Sequence, residues 1–432
     1  MNNNITPQTN EVNPKENNST KKIVLITSLA IIVLIGCISG YLLSKNKKLV
    51  DSYANKVYPG IYVFDKDVSG LTKEELHTVL EEMVGNISSR KLSIAINDKS
   101  FEESYNNFDV TIDYETFENE VLSYGKDIGF FEKVNRIKKP ESKTYEFSIN
   151  YNEEKLVGFI DSINDAVLIN PVDAKANIYG GTVNITPEQI GYELNKEDLK
   201  SKIEAVLLKV KDEDLVALDG QLVEIQPYIT AAALQTVDTK ISSYTTHFTA
   251  GPSGTNVLRG AQMIGSRVVM PGDELSTVEA IGPTTAEYGF VSANTYLNGK
   301  VVPGFGGGVC QISSTIYNAE LRAGIIPTYR VNHEMTVSYV PQGLDATIGD
   351  EWPDLTFENP YDYPIIVNVY AGGGSLTAEF WSNSEATGGI RYEPKAYQTG
   401  SLSADTYLYG YDSNGECVLE KYLDSSVYKP FS

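Results

Sequence analysis

Cysteine and histidine are scarce in this 432-residue chain, at three each, and tryptophan occurs only twice. The cysteines, Cys37, Cys310 and Cys417, cannot build a disulfide framework; one bridge between the last two is the most the folded part could hold. The histidines, His77, His247 and His333, are too scattered for a zinc site, so no metal or cofactor is expected. Positive charge is short too: 35 Lys and Arg face 57 Asp and Glu, a formal net charge of −22. A chain without a basic surface has nothing to hold a phosphate backbone, which excludes nucleic acid as a partner. Length is ample for two or three cores. Tyrosine is plentiful at 28 residues against 14 phenylalanines, which suits solvated β-surfaces and polar ligands such as sugars.

One long uncharged run stands out, Ile23 to Leu43, "IVLITSLAIIVLIGCISGYLL". At ~1.5 Å per residue it makes about 31 Å of helix, enough to cross a bilayer. Lysines flank it on both sides, so charge counting leaves its orientation open. No small-x-small site follows it, which favours an uncleaved anchor over a signal peptide. "LIGC" ending at Cys37 resembles a lipoprotein processing site, but the apolar run continues past it. Residues 1–22 are expected as a disordered cytoplasmic tail and 23–43 as the anchor.

Beyond the anchor, alternation through Ile61 and Val63 predicts a strand, Ser69-Gly70 a turn, and Thr72 followed by Glu75 a capping box opening a helix. "FDVTIDYETF" (108–117) and "IGYELNKEDL" (190–199) share one pattern, a short strand leading to a helix capped by Asp113 or Asn195. That repetition reads as tandem modules over 50–225. From about residue 240 glycine and proline become frequent and short strands alternate with turns. This second, loop-rich domain runs to 381, closing on a hairpin in "YPIIVNVYAGGGSLTAEFW". Residues 382–432 read as a further β-hairpin around Asn414-Gly415. The fold class is α+β, mainly antiparallel strands with inserted helices after the N-terminal span.

The densest chemistry lies in "GFGGGVCQISSTIYNA", residues 304–319. Ile312, Ile316, Ala319 and Ala323 recur at helical spacing and Gly324 supplies a stop, so Cys310 opens a helix. Free first-turn amides and the helix dipole favour an anion there, lowering the thiol pKa, and can also receive an oxyanion. Glycines at 306, 307 and 308 would let a substrate backbone approach. No Gly-Lys-Ser/Thr follows, which argues against a phosphate loop; a buried inert cysteine is the plain alternative. His333, in "TYRVNHEMTVSYVP", is the candidate base on a strand-like segment, with His247 its competitor and Glu334 or Asp345 as candidates to orient the ring. Arg330 is a candidate for a substrate carboxylate. Gln311, Ser313 and Tyr339 complete the candidate substrate-binding set.

Residues 240–381 resemble the VanW family. The likeness is carried by "NVLRGAQMIGSRVVMPGDELS", "IGPTTAEYGFVSANTYLNGKVVPGFGGGVCQISSTIYNAELRAGI", "YRVNHEMTVSYVPQGLDAT" and "DLTFENPYDYPIIV", in family order and spacing. The upstream repeats resemble the peptidoglycan-binding modules that precede VanW domains in Gram-positive bacteria. Two departures, "DELS" without the usual phenylalanine and Glu334 where serine is common, leave the cysteine and histidine in place. Some members of this architecture are L,D-transpeptidases, and the resemblance implies the same here. Cys310 would take the acyl group of a donor stem peptide at diaminopimelate, releasing D-Ala, and an acceptor diaminopimelate amine would resolve the thioester into a 3-3 cross-link. His333 would move the protons. It implies an extracytoplasmic catalytic domain on a single-pass anchor, with peptidoglycan stem peptides as partner; the oligomeric state is left open. A non-catalytic wall-binding protein and a cysteine peptidase or amidase of the same peptides are the alternatives.

Overall fold

The computed structural model describes residues 18–209, 215–297 and 300–430. The chain divides into two compact units, one of residues up to 167 with 194–222, the other of 168–193 with 223 onward. As expected, it mixes helices with mostly antiparallel strands behind an N-terminal apolar helix. That helix, α1 (Asn18–Ser52), absorbs the apolar run and is long and apolar enough to cross a membrane. Of the tail expected at 1–22, residues 1–17 lie outside the described residues, and Asn18–Lys22 belong to α1.

In the first unit, β1 (Ile61–Val63) is followed by a turn at Gly70 and by α2 (Lys73–Ser88). The capping box forms: Thr72 Oγ1 accepts from the Glu75 amide and the Glu75 carboxylate accepts from the Thr72 amide. β2 (Lys91–Ile96) pairs antiparallel with β3 (Lys99–Ser104), burying Leu92, Ile94 and Ile96. Further along come α3 (Tyr114–Ser123), β4 (Lys143–Tyr145), parallel to β1, α4 (Lys196–Leu207) and β5 (Leu215–Asp219), parallel to β2. Asp113 caps α3 and Asn195 caps α4, each accepting from the amide three residues on, with backbone angles of −80°, 85° and −70°, 86°. The two joins share the geometry of their caps; the expected strand forms ahead of the second, at Gly191–Leu194, whereas ahead of the first a 3-10 turn at Tyr105–Phe108 leaves only a single bridge from Thr111 to Asn150.

The second unit contains β6 (Thr239–His247), α5 (Pro252–Ile264), β7 (Ser266–Val269), α6 (Cys310–Arg322), β8 (Ile365–Gly372) and β9 (Ser375–Ser382). Its main sheet has the order β6-β9-β8-β7, all antiparallel, and the β8–β9 hairpin turns on Gly373 and Gly374, both at positive φ. The last fifty residues form three strands, β10 (Arg391–Gly400), β11 (Ser403–Tyr411) and β12 (Cys417–Val427). The hairpin expected at Asn414-Gly415 joins β11 to β12, and β10 completes the sheet. Leu408 of β11 enters the same apolar core as Ile312 and Ile316 of α6.

Gln311 through Leu321 of α6 are all buried, although six of those side chains are polar or charged. A buried hydroxyl or amide is tolerated only when it is bonded, and the neighbouring chain supplies the partners. Asn318 donates to the Leu344 carbonyl at 2.7 Å, Ser313 to Ala346 at 2.7 Å, and the Ser314 hydroxyl accepts from the Ala346 amide at 3.0 Å. On the other flank Gln311 donates to Thr246 and to the His247 carbonyl of β6, both at 2.9 Å. Segment 344–348 is thus fastened lengthwise along α6, which delivers Asp345 and Thr347 to the end where Cys310 lies.

Candidate active site

Cys310 is the first residue of α6, as its sequence position implied, and it is half-buried. The three preceding glycines have reasons that lie in the fold. A Cβ at Gly307 would come within 2.5 Å of the Asn294 carbonyl oxygen, and one at Gly308 (φ 107°) within 2.8 Å of that of Ser253. Gly306 (φ 73°) would meet Thr284 at 2.7 Å. The glycines admit neighbouring chain, where substrate clearance was the expectation. Asn256, buried on α5 and missed by the sequence reading, holds the corner by donating to the Gly307 carbonyl at 2.9 Å and bonding both backbone groups of Val291.

The sulfur lies 3.4 Å from the Ile348 carbonyl oxygen and 3.6 Å from Thr347 Oγ1, within reach of the His333 ring. His333 is buried; its Nδ1 donates to Asp345 Oδ2 at 2.7 Å, and its backbone amide donates to the same oxygen at 2.7 Å. Those bonds fix the ring and leave Nε2 facing away from Asp345, 3.4 Å from the Tyr339 hydroxyl. The segment carrying His333 is irregular, where a strand was expected; its ladder contacts are two isolated bridges, Tyr329 to Thr356 and Met335 to Lys429. Asp345 Oδ1 accepts from Tyr428 at 2.5 Å and from Arg330 at 3.3 Å.

The electrostatics follow from these contacts. Burial pushes the Cys310 thiol up, but the His333 hydrogen bond and charge, with Ile348 and Thr347, outweigh it and hold the thiol below its ordinary value. Burial pulls His333 down, and bonds and charge from Asp345 and Cys310 overcome it, lifting the imidazole to about 9. Burial would raise the Asp345 carboxyl, yet His333 and Arg330 keep it low. His333 and Asp345 are thereby charged at neutral pH, and the Cys310 thiol ionises more readily than a free one. A thiolate beside an imidazolium that a carboxylate orients is suited to nucleophilic attack on a carbonyl.

The remaining candidates take other places. Arg330 is buried and uses all five of its N–H donors inside the protein, on Asp345 (twice), Asp424, Ser426 and Gly343. That leaves no donor for a substrate carboxylate, the role its sequence position had offered. Gln311 and Ser313 are occupied by β6 and by Ala346, so both hold α6 in position. Tyr339 stands beside the His333 ring. Glu334 pairs with Lys429 at 3.0 Å, so of the two acids considered Asp345 is the one at the ring. His247 is exposed and meets Ser375, and His77 pairs with Glu118 in the first unit. All three cysteines are free, and no cluster of potential metal ligands occurs among the described residues. The glycine carbonyls close the turn into the helix, Gly306 accepting from the Val309 amide and Gly308 from that of Gln311.

Residues 253–381, which contain Cys310, His333 and Asp345, match the VanW like protein family, and residues 101–215 match a peptidoglycan binding domain family. The chain is 30% identical over 246 residues to the uncharacterized protein YoaR of Bacillus subtilis strain 168, covering 56% of this chain and 79% of YoaR. The chain belongs to the VanW family. It is also 26% identical over 149 residues to the vancomycin B-type resistance protein VanW of Enterococcus faecalis strain V583, 32% of this chain and 54% of that protein. No solved structure matches it. The VanW match stops at 381, so Tyr428, Asp424 and Ser426, which bear on the triad through Asp345 and Arg330, come from outside it.

Proposed function

We propose that this VanW family protein is a cell-wall L,D-transpeptidase with Cys310 as nucleophile, held on the membrane by α1 with the rest of the chain outside. The observation that carries this reading is Cys310 at the start of a helix, within reach of His333, whose ring Asp345 holds at 2.7 Å. The match of residues 101–215 to a peptidoglycan binding domain supports work at the cell wall, and a transmembrane α1 would keep the chain there.

In this reading the Cys310 thiolate attacks the diaminopimelate carbonyl of a donor tetrapeptide. Amides of the glycine corner take the oxyanion, those of Gln311 and Ile312 being bonded within the turn. The imidazolium of His333 protonates the departing D-Ala amine, leaving a thioester and a neutral ring. The acceptor's diaminopimelate amine then attacks the thioester and gives its proton to His333, and the thiolate departs. Bonds and protons balance without a further reactant. The test is to incubate the full chain in detergent with disaccharide-tetrapeptide and resolve products by mass. A dimer lacking one D-Ala, absent with Cys310→Ala, is the expected result. Tripeptide alone would make the protein a hydrolase, and no product with intact glycan binding would make it a binding protein.

A further inference from the structure

The inner face of the sheet β10-β11-β12 reaches the triad through Tyr428 and Arg330; its outer face has a different chemistry. Along β11, Ala404, Thr406, Leu408 and Gly410 are buried, and Ser403, Asp405, Tyr407, Tyr409 and Tyr411 alternate with them on the open side. No aliphatic side chain occurs among those five. Tyr407, Tyr409 and Tyr411 follow one another with ring centroids 6.4 and 6.5 Å apart and neighbouring planes within 27°. Tyr397 of β10 and Tyr422 of β12 flank Tyr407 at 5.8 and 5.3 Å, their rings turned 75° and 70° to it. These two are 48% and 51% exposed, so they form walls on either side of the ring row.

The polar groups on this face are organised as well. The Tyr397 hydroxyl donates to that of Tyr409, which donates to Glu420, each at 3.4 Å, a hydroxyl chain that crosses all three strands. Lys395 lies over the Tyr409 and Tyr411 rings at 5.1 and 5.7 Å, and Arg391 over Tyr411 at 4.8 Å. Both cations pair with Glu393, and with Asp405 and Glu420 on the same face three carboxylates stand against the two cations, so their charge is compensated within the sheet.

We propose that this face binds a glycan strand, a polymer of uncharged hexose or N-acetylhexosamine rings. A pyranose offers C–H groups on its faces and hydroxyls at its rim, and so needs aromatic surface beside hydrogen-bonding groups, as here. The compensated charges do not select an ionic ligand. A protein docking by apolar burial would find no aliphatic side chain among the five open-side residues of β11. Nine residues of β11 run about 30 Å at ~3.4 Å each, a length suited to a polymer. The sheet lies outside both matched segments, 101–215 and 253–381. The inference rests on the protein working at the cell wall, and it does not depend on acyl transfer.

The probe is an uncharged N-acetylglucosamine hexamer, run beside peptidoglycan glycan stripped of its stem peptides by an amidase, whose muramic rings keep a lactyl carboxylate; each is titrated calorimetrically into the full chain in detergent. Tyr397→Thr with Tyr422→Thr keeps strand-forming residues at both positions and should weaken one class of sites by about tenfold, the scale of a lost ring stack. Binding by residues 101–215 would appear as a second class that the substitutions leave alone. The alkylation rate of Cys310, buttressed from the other face of the same sheet, should not change; if it does, Tyr422→Thr alone decides by the same criterion. Affinities within twofold of the unsubstituted chain, or binding only to glycan that still carries stem peptides, overturn the proposal. Cys310→Ala should bind stripped glycan normally, which separates this inference from the transpeptidase reading.

Discussion

Asp345 holds His333 through one oxygen used twice: Oδ2 accepts from the ring Nδ1 and from the backbone amide of the same residue, both at 2.7 Å. The bond to the amide fixes where the carboxylate sits, and the bond to Nδ1 fixes the ring's rotation and tautomer. Asp345→Asn keeps the shape and removes the charge. His333 should then fall from about 9 toward an ordinary imidazole, and the Cys310 thiol should rise because its cationic partner is lost. Acyl transfer should drop by on the order of 10³ to 10⁴, as when an orienting carboxylate is neutralised in a comparable triad. Iodoacetamide alkylation of Cys310 against pH checks it: the midpoint should lie below the ordinary thiol value in the unsubstituted chain and move up in the variant.

Tyr428 is the counterpart at the other oxygen. Its hydroxyl donates to Asp345 Oδ1 at 2.5 Å and accepts from the Gly343 amide at 2.6 Å. Tyr428→Phe strands a buried amide and removes one donor from the carboxylate, which should cost about 1–3 kcal/mol of stability. It should also raise Asp345 and weaken its hold on His333, moving the alkylation midpoint in the same direction as Asp345→Asn but less far. Denaturant melts together with the alkylation profile separate the two effects. An unchanged midpoint would make Tyr428 a structural anchor alone.

Much of this arrangement was legible in the residues. Helical spacing after the glycines put Cys310 at a helix start, and Thr72, Asp113 and Asn195 marked caps that all form. His333 and Asp345 could be nominated by residue type, since few histidines compete. The choice of Asp345 over Glu334, and the saturation of Arg330, depended on contacts across 12 to 96 positions of chain, which no local pattern encodes. Tyr428 was hidden for the same reason: one tyrosine among 28 carries no signal until the strand register places it. The glycines were legible as necessary, but their cause was not, because Ser253 and Asn294 approach from elsewhere in the fold.

That cause yields a prediction. Gly308→Ala would set a Cβ 2.8 Å from the Ser253 carbonyl oxygen at a backbone φ of 107°, so strain and overlap act together. A destabilisation of about 1–3 kcal/mol is expected from the crowding alone, with alkylation of Cys310 altered as the corner shifts. A variant as stable and as reactive as the parent would show that the loop can move away, and the glycine would then have to be explained by substrate approach.

Glu320 gives a test that does not involve the site's chemistry. It is buried on α6 with neither carboxyl oxygen bonded, and burial raises its pKa well above 4.5. Below that value the carboxyl is neutral in both folded and unfolded chains, and Glu320→Gln should melt close to the parent. Above it only the unfolded chain ionises, so each further pH unit disfavours folding by about 1.4 kcal/mol until the folded-state pKa is passed. Glutamine has no such penalty, so the stability gap between variant and parent should widen as pH rises from about 4.5 and then level off at the folded-state pKa. Melting temperatures of the second unit measured across that range decide the matter. A gap that stays constant would mean the carboxyl ionises as easily in the fold as in the free chain, which its burial without a partner forbids.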